Sequence, residues 1–408
     1  MKTIFNTVHT ALHNLSRYAA VVLTATSLTA CVMESGECPA VSADKGFGVC
    51  LEIAGGLPAA STRAEEEEEG SLAESYIDIN DLYVFSFDFA EGETVASDNA
   101  VLKDIIWSPD QSVRLEESVI TSNGTDVIIT TFLDSEKYSE KDLDFCIVTV
   151  ANASKWTGEA KLYSDLKTGE TKLSDLQKTL NYTNVITSGN SWAPDNKTGS
   201  GIPLFGIRKV NLSNYDTRVY NAANPYPLGT VWLLRSLAKI EISTDADSGL
   251  EIEHAQIEPK KWNAGLQLIP SPLSRMENYD KKGETAQVTT PPNFDAHEFD
   301  PDPASRELIF IKDERTGLHV VYLPEYDLSG NPRIIQLTIK GFDVTFPLSV
   351  SPYTGGVPDE GTEPYWKCIL RNHLYRFEIT GIEEDASLSI NWTVCPMVEY
   401  TADIPDFQ

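Results

Sequence analysis

Positive charge is scarce in this chain. Its 408 residues carry 32 Lys and Arg against 61 Asp and Glu, a formal net charge of −29. That balance argues against a nucleic-acid partner, which needs a basic face. It also means that association with other acidic chains must rest on backbone pairing and apolar contact. Long apolar runs are missing too, and none approaches the roughly 18 residues of a membrane-spanning helix. The six histidines are scattered, with no H-E-x-x-H and no second histidine at ligand spacing. The six cysteines form no C-x-x-C, which removes the usual zinc patterns. No G-x-S-x-G, P-loop or complete dinucleotide fingerprint occurs, and no carboxylate pair stands out among the many. The acidic stretch Asp295 to Asp302 could hold calcium, but Asp300-Pro301-Asp302 is not an EF-hand pattern. The expectation is therefore no catalytic residue, no metal, no cofactor and no enzyme.

What is present starts at the N-terminus. Lys2 and Arg17 supply positive charge ahead of an apolar segment from Tyr18 to Ala30, about 13 residues and too short to span a bilayer. Leu28-Thr29-Ala30-Cys31 is a lipobox, in which Cys31 becomes the acylated first residue of an exported protein. Residues 1–31 are thus read as a lipoprotein signal peptide. The remaining five cysteines are odd in number and cannot all pair. Cys38 and Cys50 could bridge a short loop, whereas Cys146 and Cys395 lie in β-like runs and suit a core. Thr62-Arg63-Ala64 follows, a basic cleavage point beside the solvated run Glu65 to Glu69. Between the two signals lies Gly48-Val49-Cys50-Leu51-Glu52-Ile53, whose Val49, Leu51 and Ile53 alternate as in a half-buried strand. A chain lipidated at Cys31 and cut between Arg63 and Ala64 loses both its anchor and that strand. A β-sandwich that loses a strand has an open groove able to accept a strand from another molecule.

The rest of the chain reads as short strands punctuated by Gly, Pro and Asn. Hydrophobic residues make up 41% and charged residues 23%, enough for ordinary cores and, at 408 residues, for two domains. One or two strands are expected over Tyr76 to Asp88, with Ile77 and Ile79 before a kink at Asn80-Asp81, and others over Val113 to Leu115, Asp126 to Phe132 and Leu143 to Ala151. The unbroken apolar character of the last marks it as central. Thr157 to Leu180 is the best helix candidate, broken near Gly169. Asn181 to Leu228 reads as loops. Further strands are expected over Thr230 to Ser243, Leu250 to Ile257, Glu307 to Ile311, His319 to Leu323, Arg333 to Lys340, Asp343 to Val350, Asn372 to Ile379 and Leu388 to Val394. This pattern gives an all-β chain with a β-sandwich in each half. The boundary falls near residue 228, so the domains are 32–228 and 229–408. The aromatics Trp156, Trp192, Tyr220, Tyr226, Trp262 and Tyr353 could stack on sugars, although core packing is their commoner use.

Four separated motifs resemble those of the Bacteroidales fimbrillins. Ile202-Pro203-Leu204-Phe205-Gly206 resembles their IPM-x-G turn, with Leu204 where Met is frequent. Leu233 to Ile242 resembles their L-x-R-x-x-AKI-x-I strand. Val321 to Tyr326 resembles their YLPE element, and Arg371 to Ile379 their RNH-x-Y-x-x-x-I strand. The resemblance implies a subunit of a type V pilus built from two tandem transthyretin-like β-sandwich domains. It implies transport to the outer membrane as a lipoprotein, then cleavage after Arg63 by an arginine-specific protease. Residues 32–63 would leave as a propeptide carrying the strand of Val49, Leu51 and Ile53. The C-terminal strand of another subunit would fill the groove, in a homo- or hetero-polymer at the cell surface that mediates adhesion. In this chain the donor would lie within Ser387 to Gln408, where Leu388, Ile390, Trp392 and Val394 alternate. Burying about four such side chains gives roughly 6–12 kcal/mol before ordering costs. A tip or anchor subunit, or a monomeric glycan-binding surface lipoprotein, are the alternatives. Fatty-acid labelling of cells expressing the chain is expected to mark it with palmitate, and Cys31→Ser to abolish the label. A label that survives the substitution would rule out Cys31 as the anchor.

Overall fold

A computed structural model describes residues 46–56, 68–69, 71–94, 96–112, 114–138, 143–154, 165–182, 193–194, 201–221, 223–263, 265–277, 287–288, 306–313, 316–328, 333–350, 368–384 and 387–398. Cys31, Cys38, Arg63, Ala64, the acidic loop 295–302, Trp156, Trp192 and Tyr353 lie outside them. The chain is all-β, and the described residues form two pairs of sheets, with two short α-helices in the first half.

The first half is built from β1 (Phe47–Ala54), β2 (Leu82–Asp88), β3 (Val101–Trp107), β4 (Val119–Ser122), β5 (Asp126–Leu133), β6 (Asp144–Ala151), β7 (Leu204–Asn211), β8 (Tyr226–Trp232) and β9 (Leu234–Arg235). One sheet has the order β8-β1-β5-β4 and the other β9-β7-β6-β2-β3. Their facing sides enclose a core of Val49, Leu51, Ile53, Leu82, Val84, Val127, Ile129, Phe145, Ile147, Leu204 and Val231. The reverse face of the five-stranded sheet is covered as well. There Tyr83, Phe85, Phe87, Cys146, Val148 and Val150 meet the helix α2 (Leu173–Thr179) and the segment from Leu266 to Met276. Covering both faces explains why β2 and β6 read as unbroken apolar runs rather than alternating ones.

The second half contains β10 (Ala238–Thr244), β11 (Ile252–Ile257), β12 (His319–Leu323), β13 (Arg333–Ile339), β14 (Thr345–Ser349), β15 (His373–Ile382) and β16 (Leu388–Val398). The larger sheet runs Ile311–Lys312, β12, β10, β15, β16 and Glu68–Glu69. The smaller runs Leu308–Ile309, β11, β13 and β14. Ile240, Ile242, Ile257, Val321, Leu337, Tyr375 and Phe377 lie between them.

Several expectations shift against this architecture. The change from one pair of sheets to the other falls between Arg235 and Ala238, a few residues beyond position 228. The β-rich segment from Thr230 to Ser243 is three strand pieces, because Leu233 and Ser236-Leu237 carry the chain across that junction. Arg114 and Leu115 lie outside any strand, and the pairing partner of β5 is β4 instead. The region expected as loops contains β7, whose eight residues pair along the whole of β6. Of the long helix candidate, α2 is the helical part among the described residues, and Gly169 sits at φ +78° in the turn before it.

β1 is an interior strand of its sheet. It pairs antiparallel with β5 from Phe47↔Leu133 to Ala54↔Asp126 and parallel with β8 from Val49↔Tyr226 to Ala54↔Trp232. Val49, Leu51 and Ile53 are each 1% exposed, so the strand contributes a full share of the core. In the uncut chain Leu51→Ala is expected to lower stability by about 2–5 kcal/mol, read from denaturant midpoints. An effect of a few tenths would mean that β1 is not part of the cooperative fold.

Candidate strand-exchange site

The alternation of Val49, Leu51 and Ile53 sends these three side chains inward, while Cys50 is half-buried and Glu52 is exposed. The outward positions are held lightly. Glu52 accepts a hydrogen bond from the Thr230 hydroxyl at 2.7 Å, and the Gly48 amide donates to the Tyr215 hydroxyl at 3.1 Å. Phe47 packs edge-on against Tyr215 with 4.8 Å between ring centroids. Tyr220 and Tyr226, considered for sugar stacking, form a T-shaped pair with each other beside Tyr215. Trp262 is buried and donates its indole N–H to the Arg306 carbonyl at 2.9 Å. The end of β1 is stitched by Leu233 N–H to Ala54 O at 2.8 Å and Gly55 N–H to Thr125 O at 2.9 Å.

Beyond the end of β1 the structure holds a buried polar cluster that sequence reasoning did not identify. Ser71 caps the single-turn helix α1 (Leu72–Ser75), accepting from Glu74 N–H, while the Glu74 carboxylate accepts from Ser71 N–H. Arg235 is fully buried. Its guanidinium donates to the carbonyls of Glu74 at 3.1 Å, Met397 at 3.1 Å and Gly55 at 3.4 Å, and to the Ser75 hydroxyl at 2.8 Å. Asn372 shares this point, accepting from Arg235 and donating to Met397 O. One side chain thus ties together the end of β1, the helix α1 and the end of β16.

Glu74 is the anionic centre. Lys239 lies 2.9 Å from its carboxylate, and the Tyr322 hydroxyl donates to it. Burial would raise its pKa, but the charges of Lys239 and Arg235, with the Tyr322 and Ser71 donors, outweigh that and hold it at about 2. A second buried carboxylate, Glu325, sits between Arg275 and Arg371, each at 2.7 Å. Burial opposes its ionisation as well, and the two guanidiniums win. Arg371 also donates to Leu268 O at 2.7 Å, which ties the cover of the central sheet to β15. The sequence signal was available: Leu233-Leu234-Arg235-Ser236-Leu237 sets a charge within an apolar run, and a buried charge must be paired. His373 is buried, its Nδ1 facing the Arg371 carbonyl at 2.8 Å, and burial depresses its pKa. Cys146 is a core residue whose thiol burial pushes up to about 12. Among the described residues no group of three or more His, Cys, Asp or Glu could hold a metal.

Leu388, Ile390, Trp392 and Val394, expected as the donor face, lie in β16, the last strand but one of their own sheet. β16 pairs antiparallel with β15 from His373↔Pro396 to Ile382↔Leu388. Leu388, Ile390 and Val394 pack on the second sandwich's core, and Trp392 is 37% exposed. Glu68–Glu69 pairs in parallel with Met397–Val398 at the far end of β16.

These elements define an all-β chain whose most N-terminal described strand is interior to its sheet. No family model matches the chain, and no curated protein matches it. Among solved structures it is similar to the tip fimbrial protein Mfa3 from Porphyromonas gingivalis with a C-terminal truncation. That likeness has 14% identity over 86% of this chain and 99% of the other, with a TM-score of 0.46. It is also similar to a fimbrial protein from Bacteroides vulgatus, with 9% identity over 86% of this chain and 99% of that one and a TM-score of 0.36. A Bacteroides thetaiotaomicron protein provisionally named as polysaccharide-binding is similar at 12% identity over 86% and 99%, with a TM-score of 0.37.

The depressed pKa of Glu74 fixes a pH dependence. A carboxylate whose folded pKa lies below the unfolded 4.5 stabilises the fold above that value and loses its contribution as pH falls through about 2. The contribution is on the order of 3 kcal/mol. Glu74→Gln is expected to lower the denaturant midpoint at neutral pH, with the gap to the unsubstituted chain closing as pH approaches 2. A gap that stays constant across this window would exclude the charge as its cause.

Proposed function

We propose that the chain is a fimbrial subunit, exported as a lipoprotein acylated at Cys31 and carried to the outer membrane. An arginine-specific protease cuts it between Arg63 and Ala64, and the groove vacated by β1 then receives a strand from another fimbrial subunit. Polymerisation presents the chain at the cell surface in an adhesive fimbria. One observation carries the reading. The only strand N-terminal to Arg63 among the described residues is β1, and β1 is interior to its sheet. A cut at Arg63 therefore frees the whole strand from the chain while leaving every other described strand in place. Its loss would leave the ladder groups of β5 and β8 unpaired and the slots of Val49, Leu51 and Ile53 empty. Burying those three side chains is worth roughly 5–9 kcal/mol, so the opened groove has a strong drive to refill. The four fimbrillin-like motifs support the same reading. Three of them supply Arg235, Lys239, Tyr322, Glu325, Arg371 and Asn372, the residues of the buried polar network.

Digestion of the purified precursor with an arginine-specific protease is the direct test. The expected outcome is a stable fragment beginning at Ala64, resistance to cutting in Arg63→Ala, and capture of a complementary strand only by the cut protein. A stable fragment with any other N-terminus, or strand capture by the uncut chain, overturns the proposal.

A further inference from the structure

Three glycines on β1's path lie close against backbone, and at two of them, Gly46 and Gly55, there is no room for a Cβ: at Gly46 it would lie 2.1 Å from the Leu133 carbonyl oxygen. A methyl group at Gly48 would lie 3.0 Å from the Asn221 carbonyl oxygen and 3.3 Å from the Phe132 ring. At Gly55 it would lie 2.0 Å from the Ser75 carbonyl oxygen and 3.2 Å from that of Thr125. None of these carbonyl walls is the movable end of a side chain. Leu133 belongs to β5, Asn221 is fixed in a loop by its backbone bonds with Asn224, and Ser75 is held by the buried Arg235. All three walls belong to residues after Arg63, so all three remain when β1 leaves.

From this geometry we propose that the groove selects a strand from a different protein, by a spacing rule that this chain's own segments after the cut do not meet. The inference rests on the fimbrial reading above and names the partner of the same site. The incoming strand runs parallel to β8 and antiparallel to β5, as β1 does. It carries glycine at two positions nine apart, those of Gly46 and Gly55, a small residue at that of Gly48, and between them three aliphatic side chains no larger than Val, Leu and Ile at alternate positions. A carboxylate or other acceptor at the position of Glu52 gains the Thr230 hydroxyl. No glycine follows Gly381 in the sequence, so a donor from Ser387 to Gln408 puts a side chain into both tight positions. Using Leu388 and Ile390 for the first two slots seats Trp392, a much larger group, where Ile53 was. Apart from Gly46 and Gly55 themselves, no two glycines of the sequence stand nine apart. The partner is therefore a second kind of subunit, bearing a glycine-bracketed aliphatic strand.

The test offers labelled peptides in excess to the full chain cut after Arg63. The first peptide is residues 46–56 of this chain, the second is the same with Gly46→Val and Gly55→Val, and the third is residues 386–408. The expected result is saturable binding of the first and binding of the second weaker by about tenfold or more. The third is expected not to bind, and the cut protein alone to form no ladder of homo-oligomers. If the first and third bind alike, or a homo-oligomer ladder grows, the partner assignment is overturned while the groove stands. Equal binding of the first and second overturns the spacing rule. Failure of the first peptide to bind removes the groove itself, and this proposal with it.

Discussion

A strand in the interior of a sheet has hydrogen-bonded neighbours on both sides, and the rest of this structure is arranged around that constraint. β1 closes the gap between β5 and β8 with main-chain bonds on each edge, and its inward face fills the space over Val84, Ile147 and Val231. Buried backbone groups without partners are costly, and an apolar slot in water is costly as well. Removing β1 would therefore leave a sheet strongly driven to take up a replacement strand. With a formal charge of −29, the chain repels copies of itself at long range, and backbone pairing with apolar burial is what can overcome that repulsion at contact.

The buried charges work on the same geometry from behind. A buried ion pair is poor value as a source of stability, because desolvation offsets most of the attraction. Its use lies in fixing positions. Arg235 reaches Gly55, Glu74, Ser75 and Met397, which are distant in sequence and drawn from three segments. Glu74 turns that cation into part of a neutralised network with Lys239 and Tyr322, which lie on adjacent strands of the second sandwich. The Ser75 carbonyl is thereby held against Gly55, and a network that looks purely structural becomes one wall of the groove.

Period-two patterning made much of the fold legible. The placement of Val49, Leu51 and Ile53, the range His319–Leu323 and the unbroken run ending at Ala151 all follow from side-chain alternation or its absence. β7 was obscured because Gly201, Pro203 and Gly206 crowd its start and Arg208 and Lys209 interrupt its apolar face. Those two cations are usable there because Arg208 donates to the Leu228 and Thr230 carbonyls and Lys209 to that of Thr94. Arg235 and Arg371 could be recognised in motifs, but their partners could not. Nothing local in a sequence links Arg235 to Ser75, 160 positions away, or Tyr322 to Glu74, 248 positions away. The tightness at Gly46 and Gly55 was equally invisible, since it depends on which carbonyl lies opposite.

That last point separates two kinds of evidence about strand exchange. Alternating apolar residues mark Leu388, Ile390, Trp392 and Val394 as a strand with one apolar face, and the face is indeed the one turned toward Tyr375, Phe377 and Ile379. Nearly every half-buried strand has the same pattern, so alternation alone cannot match a donor to a groove. Matching needs features that exclude. Direction is fixed because one neighbour is parallel and the other antiparallel. Slot size is fixed by Val49, Leu51 and Ile53, and register is fixed by two positions where only hydrogen fits. A groove with all three constraints rejects most apolar strands, including those of its own chain, while binding the right one through main-chain bonds available to any sequence. Specificity here comes from what the walls forbid rather than from added attraction.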